Sequence, residues 1–254
     1  MLVLLPPSET KRPGGTGRPL ALDALALPTL RAEREAVVDA LVALSGGEDD
    51  AARVLKLSAR QRGDIAANAA LRTAPTMAAV DRYTGVLFDA LGAETLDTAA
   101  RRWLGAHVLI QSAPFGPIGA LDAIPAYRLA AGTSLPGVPP LRRVWAGPVS
   151  RALEAASPRF VLDLRSEAYA ALGPVPAHIP SVYLRVVSDG EGGVARALNH
   201  FNKHAKGDLV RALSRDRPRI SSLATLARWG DSRGLVLRAG TRGEVELVVP
   251  GGAG

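Results

Sequence analysis

Six short apolar runs, separated by longer stretches with helical spacing, constrain this chain more than any other feature. They are Leu2–Leu5, residues 107–112 (H-V-L-I-Q-S), 159–164 (R-F-V-L-D-L), 182–187 (V-Y-L-R-V-V), 234–238 and 244–249. Each has strand length, and Pro6-Pro7 ends the first. The alternation predicts an α/β protein with a mixed sheet and surrounding helices, as one compact domain over residues 1–250. Residues 29–72 read as a helical hairpin. Leu30, Val37, Val38, Leu41 and Leu44 recur at helical spacing before Gly46-Gly47. A short helix capped by Asp49 and Asp50 and one capped by Ser58 follow. Gly/Pro-rich turns fall at 114–119, 132–140 and 173–180.

The core must come from Ala, Val, Leu and Ile, because aromatics are 4% of a chain that is 47% hydrophobic. The absence of cysteine excludes disulfides and thiolate metal sites, and a reducing cytoplasm is the expected home. Met1–Leu5 is too short for a signal-peptide core, and no apolar run approaches the ~20 residues that span a bilayer. No membrane association and no cofactor are expected, and a monomer is expected.

Charge distribution is more informative than its total of +7. Residues 1–127 hold 13 basic and 14 acidic residues, whereas 192–243 alone hold 11 and 3. The second segment carries the excess, which is the footprint of a polyanionic partner. On a helix, residues 189–213 (D-G-E-G-G-V-A-R-A-L-N-H-F-N-K-H-A-K-G-D-L-V-R-A-L) place Val194, Leu198, Phe201, Ala205, Leu209 and Ala212 on one face. Arg196, His200, Lys203, His204 and Arg211 fall opposite, with Lys206 at the flank. Gly207 sits mid-face, at ~1 kcal/mol relative to alanine, as an opening for a phosphate to approach. His200, His204 and Asp208 form an i, i+4, i+8 line of metal-ligating types, but the surrounding cations would repel a metal ion.

Two further segments carry polar residues near strand ends. Residues 112–129 (S-A-P-F-G-P-I-G-A-L-D-A-I-P-A-Y-R-L) form a long loop with Asp122, Tyr127 and Arg128. In D-L-R-S-E-A-Y (163–169), Ser166 precedes Glu167 as a helix cap or anion contact. The chain has no G-x-S-x-G, no H-E-x-x-H and no dinucleotide fingerprint, and Lys11 precedes the nearby glycines, against the Walker order.

Taken in order, L-V-L-L-P-P-S-E-T-K, Y-T-G (Tyr83–Gly85), A-E-T (Ala93–Thr95), the 112–129 loop, D-L-R-S-E-A-Y and F-N-K-H-A-K-G-D-L-V-R make the chain resemble the bacterial peroxide stress protein YaaA family. It departs from that pattern in an arginine-rich way. Better-known members have alanine-lysine at Ser8-Glu9, tyrosine and arginine at Phe115 and Gly119, and phenylalanine at His200. Across Lys203, His204 and Lys206 they have two lysines and an arginine.

The resemblance implies a single α/β domain with a positively charged cleft. It also implies DNA binding with a helix-hairpin-helix-like element, and survival of peroxide by limiting iron-driven oxidative damage. By that analogy the 29–72 hairpin contributes Arg53, Lys56, Arg60 and Arg62 to DNA, and no established reaction comes with it. The leading expectation is DNA binding of low sequence specificity. Phosphate contacts are expected from Lys11, Arg128, Arg196, Lys203, Lys206 and Arg211, with Thr84, Ser166 and Gly207 beside them. Tyr83 and Tyr127 would stack on a base or position a sugar. The alternative is an enzyme acting on a phosphorylated or nucleotide-like small molecule, with Glu9, Glu167 and Lys203 as candidate catalytic groups. A tight cleft holding those carboxylates with Lys203 or Lys206 would favour the second reading, and a groove about a duplex wide the first.

Overall fold

The computed structural model describes residues 1–189, 195–196 and 199–250; the side chains of 188–200 and 250 lie outside this description. In chain order the strands are β1 (Leu2–Leu5), β2 (Met77–Ala78), β3 (Val108–Ser112), β4 (Gly116–Gly119), β5 (Ala123–Ile124), β6 (Val161–Asp163), β7 (Ser181–Asp189), β8 (Ala195–Arg196), β9 (Val236–Ala239) and β10 (Glu244–Pro250). The helices are α1 (Arg31–Leu44), α2 (Glu48–Val54), α3 (Gly63–Ala69), α4 (Ala79–Arg82), α5 (Val86–Leu91), α6 (Thr98–His107), α7 (Leu141–Ala156), α8 (Glu167–Ala170), α9 (Asn199–Asp216) and α10 (Leu223–Ser232).

One mixed sheet carries the fold, in the order β4-β3-β1-β6-β7-β10-β9, with β8 pairing the end of β7. The inner strands run parallel: Val3 lies opposite Val108 and Leu162, and Leu184 opposite Val245. Strands covered on both faces read as continuous apolar runs, which is why β1, β3 and β6 are visible in the sequence. The edge strands β4 and β9 are antiparallel to their neighbours. Four buried residues, Gly-Pro-Ile-Gly, make β4, a segment expected to be loop. An edge strand tolerates Pro117, whose missing N–H faces no partner there.

Helices α1 to α6 lie between β1 and β3, and α7 lies between β4 and β6. α7 buries Leu141, Trp145, Val149, Ala152 and Leu153 along one stripe. The indole of Trp145 donates to the Ala113 carbonyl at 2.9 Å. Gly116, at φ +62°, lies where a Cβ would come within 2.9 Å of that ring. Among the described residues, no helix is long and apolar enough to cross a membrane.

Three arginines are internal. Arg34 donates to the carbonyls of Ala26, Phe115 and Pro117 at 2.6–3.0 Å. Arg82 serves the carbonyls of Arg12, Pro75 and Ile124. Arg165 grips Asp163 at 2.6 and 2.9 Å and also donates to Gln111 and the Gly173 carbonyl. A planar, always-charged fork can satisfy several acceptors at once, so part of the arginine excess is internal scaffolding.

The 29–72 hairpin is α1, α2, a single turn at 59–61 capped by Ser58, and α3. Of the cations expected to reach DNA, Arg53 and Arg62 are already engaged, whereas Lys56 and Arg60 are exposed with no ion pair among the described residues. Arg53 pairs with Asp50 at 2.7 Å and Arg62 with Glu48 and Asp49 at 3.2 and 2.9 Å. Arg72 pairs with Glu35 and Asp39.

Candidate functional site

β3 lies on one side of β1, and the chain then crosses to place β6 on the other. The order of the sheet therefore reverses between β1 and β6. Loops leaving neighbouring parallel strands in opposite directions open a crevice at their carboxyl ends, the general ligand position in open α/β sheets. A cavity of about 770 Å³ occupies this place.

Its walls come from five segments. The loop after β1 supplies Pro6 to Thr10, and the turn into α5 supplies Thr84 to Phe88. The loop after β6 supplies Ser166 to Tyr169, β7 supplies Tyr183 and Arg185, and α9 supplies Asn202, Lys203 and Lys206. The first two segments are stitched together: Lys11 bridges to Tyr83, the Thr84 amide donates to the Thr10 carbonyl, and the Thr10 hydroxyl donates to the Thr84 carbonyl. Gly85, at φ +96°, passes close to the hydroxyls of Ser8 and Thr10.

Both carboxylates at the cavity are tied to arginines. Glu9 lies 3.1 Å from Arg128, and Glu167 lies 3.4 Å from Arg185, which also holds Glu244 at 2.8 Å. The lysines differ. Lys206 is 6% exposed and donates to the Leu164 carbonyl at 2.9 Å, with no carboxylate within salt-bridge distance among the described residues. Burial lowers its pKa to about 8; Asp163 opposes the shift and Arg185 adds to it. Lys203, one turn earlier, is exposed and unpaired among the described residues. Ser166 stands at the N-cap of α8, yet its hydroxyl caps nothing.

Several expected contacts sit elsewhere. Lys11 lies behind the wall, donating to the carbonyls of Ser8 and Glu9 at 2.9 and 3.3 Å, with its ammonium 4.0 Å from the Tyr127 ring centroid. Burial, then Arg128, lowers its pKa to about 7. Tyr83 and Tyr127 are buried with their hydroxyls 2.7 Å apart, and burial raises the pKa of both. They support the wall and leave no face for a base. Gly207 is packed on α5, where a Cβ would stand 2.2 Å from the Leu87 carbonyl oxygen, so its smallness serves helix packing. Arg211 donates to the carbonyls of Leu91 and Gly92 and to Thr95, closing the end of α5 away from the cavity. His204 and Asp208 pair at 2.9 Å on the exposed side of α9. The side chains of Arg196 and His200 lie outside the described residues.

Tyr183 and Arg185 escape a reading of the sequence. A charged residue inside V-Y-L-R-V-V is the available signal, since an arginine in a near-continuous apolar strand needs a polar neighbour at one end. The buried Asp163–Arg165 pair escapes it too.

Fold and site together define an α/β protein with a mixed sheet and a ligand-sized crevice at its switch point. A family model described as peroxide stress protein YaaA matches residues 1–239. A UPF0246 protein of Corynebacterium efficiens is 44% identical over 98% of this chain and 100% of its own length. One from Streptomyces coelicolor is 45% identical over 84% and 82%. One from Corynebacterium glutamicum is 41% identical over 93% and 94%. The chain belongs to the peroxide stress protein YaaA family.

Proposed function

We propose that this protein serves the peroxide stress response by binding a phosphorylated or nucleotide-like small molecule in the crevice between β1 and β6. The observation that carries the reading is the convergence of Glu9, Glu167, Ser166, Lys203 and Lys206 on one cavity of about 770 Å³. That volume suits a single small ligand, and it is far too small for a duplex. The same walls supply groups for acid–base chemistry: Glu9, Glu167 and Lys203 as the accessible titratable groups, and Lys206 as a buried amine. Isothermal titration with nucleoside monophosphates and sugar phosphates tests it. Saturable binding abolished by Lys203→Glu plus Lys206→Glu supports the reading, and no binding by any such compound refutes it.

A second reading, DNA binding of low sequence specificity that limits iron-driven damage, is favoured by a different observation. Arg215, Arg217 and Arg219 at and just past the end of α9, and Arg228 on α10, are exposed and carry no ion pair among the described residues. Asp216, which sits among them, turns inward to Arg233 and to the Trp229 indole. Such unpaired cations are phosphate contacts, and their binding must weaken steeply with salt because each contact releases counterions. A DNA affinity independent of salt, or none at low salt, would remove this reading.

A further inference from the structure

We infer that the Lys206–Ser166 end of the crevice is a subsite for the phosphate of a phosphomonoester, with Lys203 above it and the organic part of the ligand against Pro6, Pro7, Leu87 and Phe88. This rests on the small-molecule reading of the same cavity and specifies which end holds what. Three observations carry it. First, Lys206 is nine-tenths buried and lines the cavity, and its partners are neutral: the Leu164 carbonyl takes one of its three N–H groups and the Tyr183 ring lies 5.9 Å away, while the nearby Asp163 carboxylate is spent on Arg165. A buried cation without a paired anion is costly, and an anionic ligand supplies the missing partner. Second, the Leu164 carbonyl that holds this ammonium lies two residues before Ser166, whose hydroxyl is at a cap position but makes no cap. It remains free to donate to the same ligand. Third, the other charged groups of the cavity are already satisfied: Arg185 by Glu167 and Glu244, and Glu9 by Arg128. The unspent groups facing the space are therefore two ammoniums, the hydroxyls of Ser166 and Thr84, and the side-chain amide of Asn202, whose Oδ1 has no partner among the described residues, so donors outnumber acceptors.

The number of donors selects the ligand class. Two ammoniums match a dianion, and their free N–H groups with the serine hydroxyl exceed what the two oxygens of a carboxylate accept. A terminal phosphate offers three strongly accepting oxygens and a charge between about −1.5 and −2 near neutral pH. The apolar wall of Pro6, Pro7, Leu87 and Phe88 has no use in holding a bare phosphate ion, which points to an organic body.

The test is calorimetric titration of the full chain with AMP, ribose 5-phosphate, adenosine and inorganic phosphate, repeated for Lys206→Met and Ser166→Ala, with circular dichroism to verify folding. The expected result is binding of the two organic phosphates, with adenosine much weaker. Lys206→Met should lower affinity by about tenfold or more, the worth of one charge-assisted hydrogen bond, and Ser166→Ala by a few-fold. If Lys206→Met does not fold, Ser166→Ala and Lys203→Met decide. Undiminished phosphate binding in the variants would overturn the subsite while leaving the crevice as the ligand site. So would adenosine binding as well as AMP. Inorganic phosphate binding as tightly as AMP would overturn the role of the apolar wall. Failure of all four probes to bind would overturn both the subsite and the reading beneath it.

Discussion

Lys206→Met should reveal the cost of keeping an amine in the crevice. The lysine falls from its ordinary 10.5 to about 8 on folding, chiefly because burial strips water from the ammonium. That drop amounts to about 3 kcal/mol against the charged form. Between those two values the unfolded chain binds more protons than the folded one, so this residue makes stability rise with pH across that window and contributes its full penalty below it. Methionine removes the penalty but leaves the Leu164 carbonyl without its donor, a loss of about 1–3 kcal/mol. The two effects nearly offset at neutral pH, so the absolute change there is uninformative. The pH dependence is informative. The variant's advantage over the parent should shrink by about 2 kcal/mol between about pH 7 and pH 9.5, as the parent's lysine sheds its proton in the folded state. Paired urea melts across this range read the difference directly, and comparison of two chains cancels every other titrating group, including the tyrosines raised by burial. A stability difference that stays flat with pH would refute the assignment of Lys206 as a buried, uncompensated amine.

Three further substitutions probe the frame of the site. Gly207→Ala should cost about 1–3 kcal/mol or more in a urea melt, because its Cβ would collide with the Leu87 backbone and must push α5 from α9. Arg165→Met should cost about 3–5 kcal/mol, since it strands the Asp163 carboxylate, 10% exposed, without its fork; thermal unfolding measures it. Glu9→Gln should change stability by less than about 1 kcal/mol, because its pair with Arg128 leaves the glutamate side chain 71% exposed. Removing that negative charge from the lip should nonetheless tighten an anionic ligand, measured as a lower Kd.

The sheet is legible in the sequence because its inner strands are buried on both faces and so lack polar alternation, as in V-L-I-Q-S of β3. β4 is not legible, since Gly-Pro-Ile-Gly has turn chemistry and becomes a strand only by pairing with β3. Helical spacing alone misplaces the α9 face. It puts Phe201 inside, yet that residue is 53% exposed, and it puts Lys206 at a flank, yet that residue is buried. A lysine's long aliphatic stem allows that burial once a backbone carbonyl waits at its end, and the carbonyl belongs to Leu164, 42 residues away. The same limit applies to the arginines. Glu9 meets Arg128 across 119 residues of chain, and Arg211 spans 116 to reach Thr95. Counting charges locates a basic segment, but only tertiary contacts separate the arginines that are spent from the cations that are free.

That separation sorts the free cations of the C-terminal segment by place. Lys203 and Lys206 face the crevice, whereas Arg215, Arg217, Arg219 and Arg228 are exposed at and just past the far end of α9 and on α10, and Arg242 is exposed in the turn before β10. Lys206 and Arg215 are nine residues apart on one helix, about 14 Å along its axis. A ligand held by both would have to be long, and one held by the lysines alone would be small. The two readings therefore predict opposite outcomes for paired variants. Lys203→Glu with Lys206→Glu should abolish binding of an organic phosphate and leave DNA affinity and its salt slope near the parent's. Arg215→Gln, Arg217→Gln and Arg219→Gln together should leave the small ligand's Kd unchanged and lower the DNA salt slope by about 0.9 for each phosphate no longer neutralised. If the lysine pair instead removes both activities, one continuous anion-binding surface runs from the crevice along α9, and the small-molecule site is the end of a nucleic-acid groove.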